Sequence, residues 1–82
     1  MVDNKILLIV CKSLIEERDG KTWRNFYLNK SFESKGYTSK RTYFTCHVSY
    51  DDHPHFDKIY SGVVNVTPAQ IRNKKLELLL KN

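Results

Sequence analysis

An 82-residue chain with 40% hydrophobic and 28% charged residues makes one small domain with a thin core, burying about 60% of the surface that its unfolded form exposes. Three glycines and two prolines exclude collagen-like or low-complexity character, and the longest apolar run, Ile6 to Cys11, falls well short of the roughly 18 residues that cross a bilayer. With so short a run no membrane partner is expected, and a net charge of +5, which attracts phosphate and acidic surfaces, points to an anionic one.

The first segment, residues 4–18, reads as a buried strand, because Ile6 to Cys11 is apolar on both faces and partly β-branched. A strand of that length needs a bend, and Ser13 is the candidate bulge. A helix is the alternative, with Asp3 as N-cap, an apolar stripe of Ile6, Leu7, Val10, Cys11 and Leu14, and Gly20 as the stop. Asp19-Gly20 between charged flanks is a hairpin signal. Asp3 also stands where a signal peptide would carry a basic flank, so the chain is expected in the cytoplasm, that of a host cell if a phage encodes it. Cys11 and Cys46 each lie in an apolar stretch and read as reduced core residues.

Residues 21–32 form the second candidate strand, with Trp23, Asn25 and Tyr27 on one face and Thr22, Arg24, Phe26 and Leu28 on the other. A polar loop from Glu33 to Ser39 carries Gly36 and Tyr37 near its tip. Residues 40–50 alternate between an apolar face (Thr42, Phe44, Cys46, Val48, Tyr50) and a wetter one (Arg41, Tyr43, Thr45, His47, Ser49). After a turn-rich, Pro54-containing loop, residues 58–67 form another strand, with Tyr60, Gly62, Val64 and Val66 on one side. Thr67-Pro68-Ala69-Gln70 is a capping-box helix start. A short helical turn near 67–73 followed by a closing strand over 75–80 is favoured, with a helix running through this segment as the alternative. Four or five antiparallel strands predict a small five-stranded OB-like barrel over residues 1–82, since closure removes exposed strand edges.

The middle of the chain interleaves rings with cations. Between Gly20 and Thr45 stand six basic residues (Lys21, Arg24, Lys30, Lys35, Lys40, Arg41) against one acid, Glu33, while the rest of the chain is neutral overall. Among them lie Trp23, Tyr27, Tyr37 and Tyr43. Single-stranded nucleic acid asks for this pairing: unstacked bases lie on exposed rings, and lysine or arginine beside them follows the phosphates. The predicted ligand is single-stranded DNA, with RNA as the variant. Trp23, Tyr27, Tyr37 and Tyr43 are the expected stacking platforms, and the six cations the phosphate contacts. A homodimer is expected, because so small a domain gains core and site length by pairing.

The pattern RDGKTWRNFYL, then YFTCHVSY, an acidic turn and IYSGVVNV resembles the small OB-fold single-stranded-DNA-binding proteins of bacteriophages, the filamentous-phage gene V type among them. The resemblance implies non-catalytic, cooperative coating of single strands by a dimer during DNA replication, with Tyr37 at the tip of a basic loop as a stacking residue. The acidic 51–57 loop and the helix start at 67–70 depart from that pattern.

Other chemistries are weaker. Cys46, His47, His53 and His55 have metal-ligating side chains, but their spacing matches no common zinc module, and no cofactor or metal is expected. No nucleophile elbow or P-loop is present, so no enzyme is expected. The competing class is a small interaction or inhibitor module that docks on an acidic protein, since Trp, Tyr and Arg are also interface hot-spot residues.

Overall fold

Asp3 accepts a hydrogen bond from the Lys5 amide at 2.8 Å and so caps a helix. From there the chain stays helical until Gly20, whose φ of 66° and ψ of 30° place it in the left-handed region that ends helices. The amides of Gly20 and Lys21 both donate to the Glu16 carbonyl, at 2.8 and 3.2 Å. The computed structural model describes residues 3–35, 42–52 and 58–80. Over them the elements are α1 (Asn4–Asp19), β1 (Asn25–Lys35), β2 (Thr42–Asp51), β3 (Tyr60–Val66) and α2 (Pro68–Leu80). Among the described residues no helix is long and apolar enough to cross a membrane.

The five-stranded OB-like barrel is therefore corrected: the strands form an open antiparallel sheet of three, in the order β1-β2-β3. The reason is local. Two segments that the barrel needs as strands are helices. In the first, burial falls on Leu7, Val10, Cys11 and Ile15, a helical spacing that outweighs the partly β-branched run. In the last, the predicted capping box forms, the Gln70 amide donating to Thr67 Oγ1 at 3.2 Å and the Thr67 amide to Gln70 Oε1 at 2.9 Å. The helix it starts then runs on through Lys, Leu and Glu, which are good helix formers, to Leu80. The closing strand over 75–80 does not exist. Asp19-Gly20 is likewise no hairpin. The positive φ that the pair supplies ends a helix as readily as it turns a hairpin.

Both helices cover one face of the sheet. Leu7, Val10, Cys11 and Ile15 of α1, with Ile71 of α2, pack in one core with Cys46, Val48 and Tyr50 of β2 and Val64 and Val66 of β3. Phe26 from β1 and Trp23 just ahead of it complete that core. Both cysteines are free and fully buried. Burial, together with the adjacent Cys46 thiol, pushes the Cys11 thiol up to about 12. The apolar faces predicted for β2 and β3 are the ones that meet the helices.

β1 carries an irregularity. Phe26 pairs with Tyr50, Tyr27 with Ser49 and Leu28 with Val48, but the register then shifts so that Lys30, not Asn29, pairs with His47. Unbroken alternation from Phe26 and Leu28 would aim Lys30 at the core, where an unpaired ammonium is costly. The bulge at Asn29 turns Lys30 to the opposite face and carries Phe32 with it, opposite Thr45.

Candidate nucleic-acid interface

Cross-strand partners share a face of a sheet, so the register defines what the face away from the helices presents. From β1 it presents Asn25, Tyr27, Lys30, Phe32 and Ser34, and from β2 Tyr43, Thr45, His47, Ser49 and Asp51. β3 adds Ser61, Val63 and Asn65. Apart from its end at Asp51, which is buried, this face keeps solvent access among the described residues. Tyr27 is 54% exposed, Phe32 45% and Val63 56%, and Tyr43 and His47 on the central strand are half-buried between their neighbours. The Phe32 and His47 rings lie 6.0 Å apart and tilted by 30°, adjoining parts of one surface. Asn29 Nδ2 donates to Ser49 Oγ, and Asn25 Nδ2 donates to the buried Asp51 carboxylate at 2.7 Å. The second bond satisfies the one buried charged side chain among the described residues.

The predicted site residues divide between this face and other places. Tyr27, Lys30 and Tyr43 are on it. Trp23 is not, and its proposed stacking role is corrected: the ring is 5% exposed, so no base can lie on it. Its centroid sits 4.8 Å from that of Tyr50 in an edge-on arrangement and 5.1 Å from that of Tyr60. Its indole N–H donates to Asp19 at 3.2 Å, and its amide donates to Glu16 at 2.8 Å. Phe26 and Tyr50 stack beside it with centroids 5.5 Å apart. Trp23 thus ties the end of α1 to the sheet. The wet neighbours Lys21 and Arg24 do not expose it, because it precedes β1 and is outside the strand alternation.

The cations scatter as well. Lys21 pairs with Asp52 and lies 4.4 Å from the Trp23 centroid, on the rim of the core cluster. The bond to Asp52 holds its ammonium above the usual range. Arg24 is exposed ahead of β1. Lys35 ends β1, and its side chain, like Tyr37, Lys40 and Arg41 as a whole, lies outside the described residues, as do His53, His55 and Asp57. Cys46 is inside the core and His47 on the opposite face, which separates that pair as ligands for one ion. Among the described residues no group of three metal-ligating side chains converges.

Phe32 and His47 also belong to the ring-bearing face, which residue type alone does not reveal. The signal for Phe32 was present: strict alternation buries Lys30, and a bulge is the cheapest way to avoid that. At the near end of α1, Arg18 donates to Tyr50 Oη at 2.9 Å and to Asp19 at 2.9 Å. The bond to Asp19, then that to Tyr50, raises the arginine's pKa, and the same bond holds the Asp19 carboxyl below its usual value.

No protein-family model, curated protein or solved structure matches this chain.

Proposed function

We propose that the uncovered sheet face binds single-stranded nucleic acid without catalysis, DNA being the first ligand to test and RNA the second. One observation carries the reading: Tyr27, Phe32, Tyr43 and His47 stand on one face with Lys30 among them. Flat rings on a pleated surface accept unstacked bases of any sequence, each stack contributing about 1–3 kcal/mol. Lys30 supplies a phosphate contact, and Thr45, Ser49, Ser61 and Asn65 offer hydrogen bonds to base edges. Duplex DNA hides its base faces and fits such a surface poorly.

The test is anisotropy of labelled oligo-dT, oligo-rU and a duplex at two salt concentrations. The expected result is salt-sensitive binding of single strands that Phe32→Ala and Tyr43→Ala each weaken. No binding, or binding that all the ring variants leave intact, overturns the reading. Trp23 fluorescence reports folding here rather than ligand, because the indole is enclosed.

A second reading has its own support. Leu76, Leu79 and Leu80 of α2 are 53%, 73% and 85% exposed, and Arg72 and Lys75 beside them are exposed too. That combination suits an acidic, apolar-faced protein segment. Loss of a protein partner with Leu79→Ser, together with unaltered oligonucleotide binding, would favour it.

A further inference from the structure

We infer that β3 is the edge through which two copies of this chain pair, antiparallel, about Val63. An open sheet has two edges, and they differ in how they resist pairing. β1 carries Lys30 and Glu33 and the bulge at Asn29, devices that blunt an edge. β3 reads Tyr-Ser-Gly-Val-Val-Asn-Val, without charge, proline or register shift. Among the described residues its one strand neighbour is β2.

The second copy fits because the strand is self-complementary. Placing a two-fold axis at Val63, the middle of Tyr60–Val66, sets Val63 against Val63 of the other copy. Ser61 then faces Asn65 and Gly62 faces Val64. Tyr60 meets Val66, an aromatic–β-branched pair of the kind that stabilises sheets. The alternation stays in phase: Tyr60, Gly62, Val64 and Val66 remain on the helix side, and Ser61, Val63 and Asn65 remain on the open side. No like charges meet, although the chain carries +5 overall. Val63 is 56% exposed and Tyr60 42%, so both gain cover. The product is a continuous six-stranded sheet with both sets of helices on one side and an uninterrupted open face on the other. This inference stands on the edge alone and does not require the open face to bind nucleic acid.

Sedimentation velocity without nucleic acid, across a concentration series, is the first measurement, and a dimer is expected for the parent chain. Val63→Lys places two ammonium groups face to face on the two-fold axis and should return a monomer with unchanged far-UV circular dichroism. Val63→Cys should give a covalent dimer through a 63–63 disulfide on mild oxidation, since opposed residues of an antiparallel pair have Cα atoms about 4.5–5.5 Å apart, within the roughly 4.4–6.8 Å that a disulfide spans. Cys11 and Cys46 are buried and do not compete. Phe32→Cys, exposed on β1, is the control and should give no covalent dimer on non-reducing denaturing gels. A monomer at every concentration overturns the inference. So does a dimer that survives Val63→Lys, or one that crosslinks through residue 32 rather than 63.

Discussion

The two faces of one sheet use the same residue types for opposite ends. On the helix side, Phe26, Tyr50 and the adjoining Trp23 form a cluster with centroids 4.8–5.5 Å apart and little exposure. On the other side, Tyr27, Phe32 and Tyr43 keep solvent access, with His47 and Lys30 between them. Rings of the first set touch one another and the Arg18–Asp19 pair, so their energy goes into the fold. Rings of the second set have no covering layer among the described residues, so their apolar surface is left for something else to cover. An aromatic residue's composition says nothing about which of these it does. Its register does.

That difference sets an order of effects. Trp23→Ala removes the indole from the core and should cost about 3–5 kcal/mol. This is a large part of the roughly 4–12 kcal/mol expected for a chain of this length. Urea denaturation followed by circular dichroism checks it, and oligonucleotide affinity of the folded fraction should be unaltered. Phe32→Ala should do the reverse, lowering affinity by about 1–3 kcal/mol while the urea midpoint hardly moves. If Phe32→Ala unfolds the chain, or Trp23→Ala selectively abolishes binding, the division of labour between the faces is wrong. Thr67→Ala, which removes the cap of α2, should cost about 1 kcal/mol in thermal or urea unfolding and leave affinity intact.

The smallest effects are electrostatic. Lys30→Ala should lower the log–log salt slope of single-strand binding by about 0.7, one phosphate's share. On the helix side, hydrogen bonds from Arg18 hold the Asp19 carboxyl below its usual pKa. A depressed folded-state pKa contributes stability above the unfolded value, and that contribution is lost as pH falls below about 4. Asp19→Asn should therefore flatten the acid side of the stability profile slightly, since the pair is exposed and screened by solvent. An unchanged acid limb would show that Asp19 is not part of it.

Much of this was legible in residue order. The faces of β2 and β3 follow from period-two alternation, and the start of α2 from Thr67, Pro68 and Gln70. Asp3 and Gly20 also mark the true ends of α1, those of the helical alternative for this segment. The errors share one cause. Ile6 to Cys11 is apolar at every position, so its period is silent, and the burial of Leu7, Val10, Cys11 and Ile15 becomes visible only when a sheet lies beneath them. For Trp23, the alternation that assigned its face does not extend to a residue outside the strand. The candidate site was half legible: Tyr27, Lys30 and Tyr43 were identified by type, whereas Phe32 and His47 needed the register across β1 and β2.

Local chemistry by itself determined the caps, the charge, the alternating strands and the small size, because each depends on a few neighbouring side chains. Only tertiary structure decided that three strands stay open under two helices, and which rings are enclosed. Those outcomes turn on which surface covers which, a free energy of burial that no short stretch of chain contains.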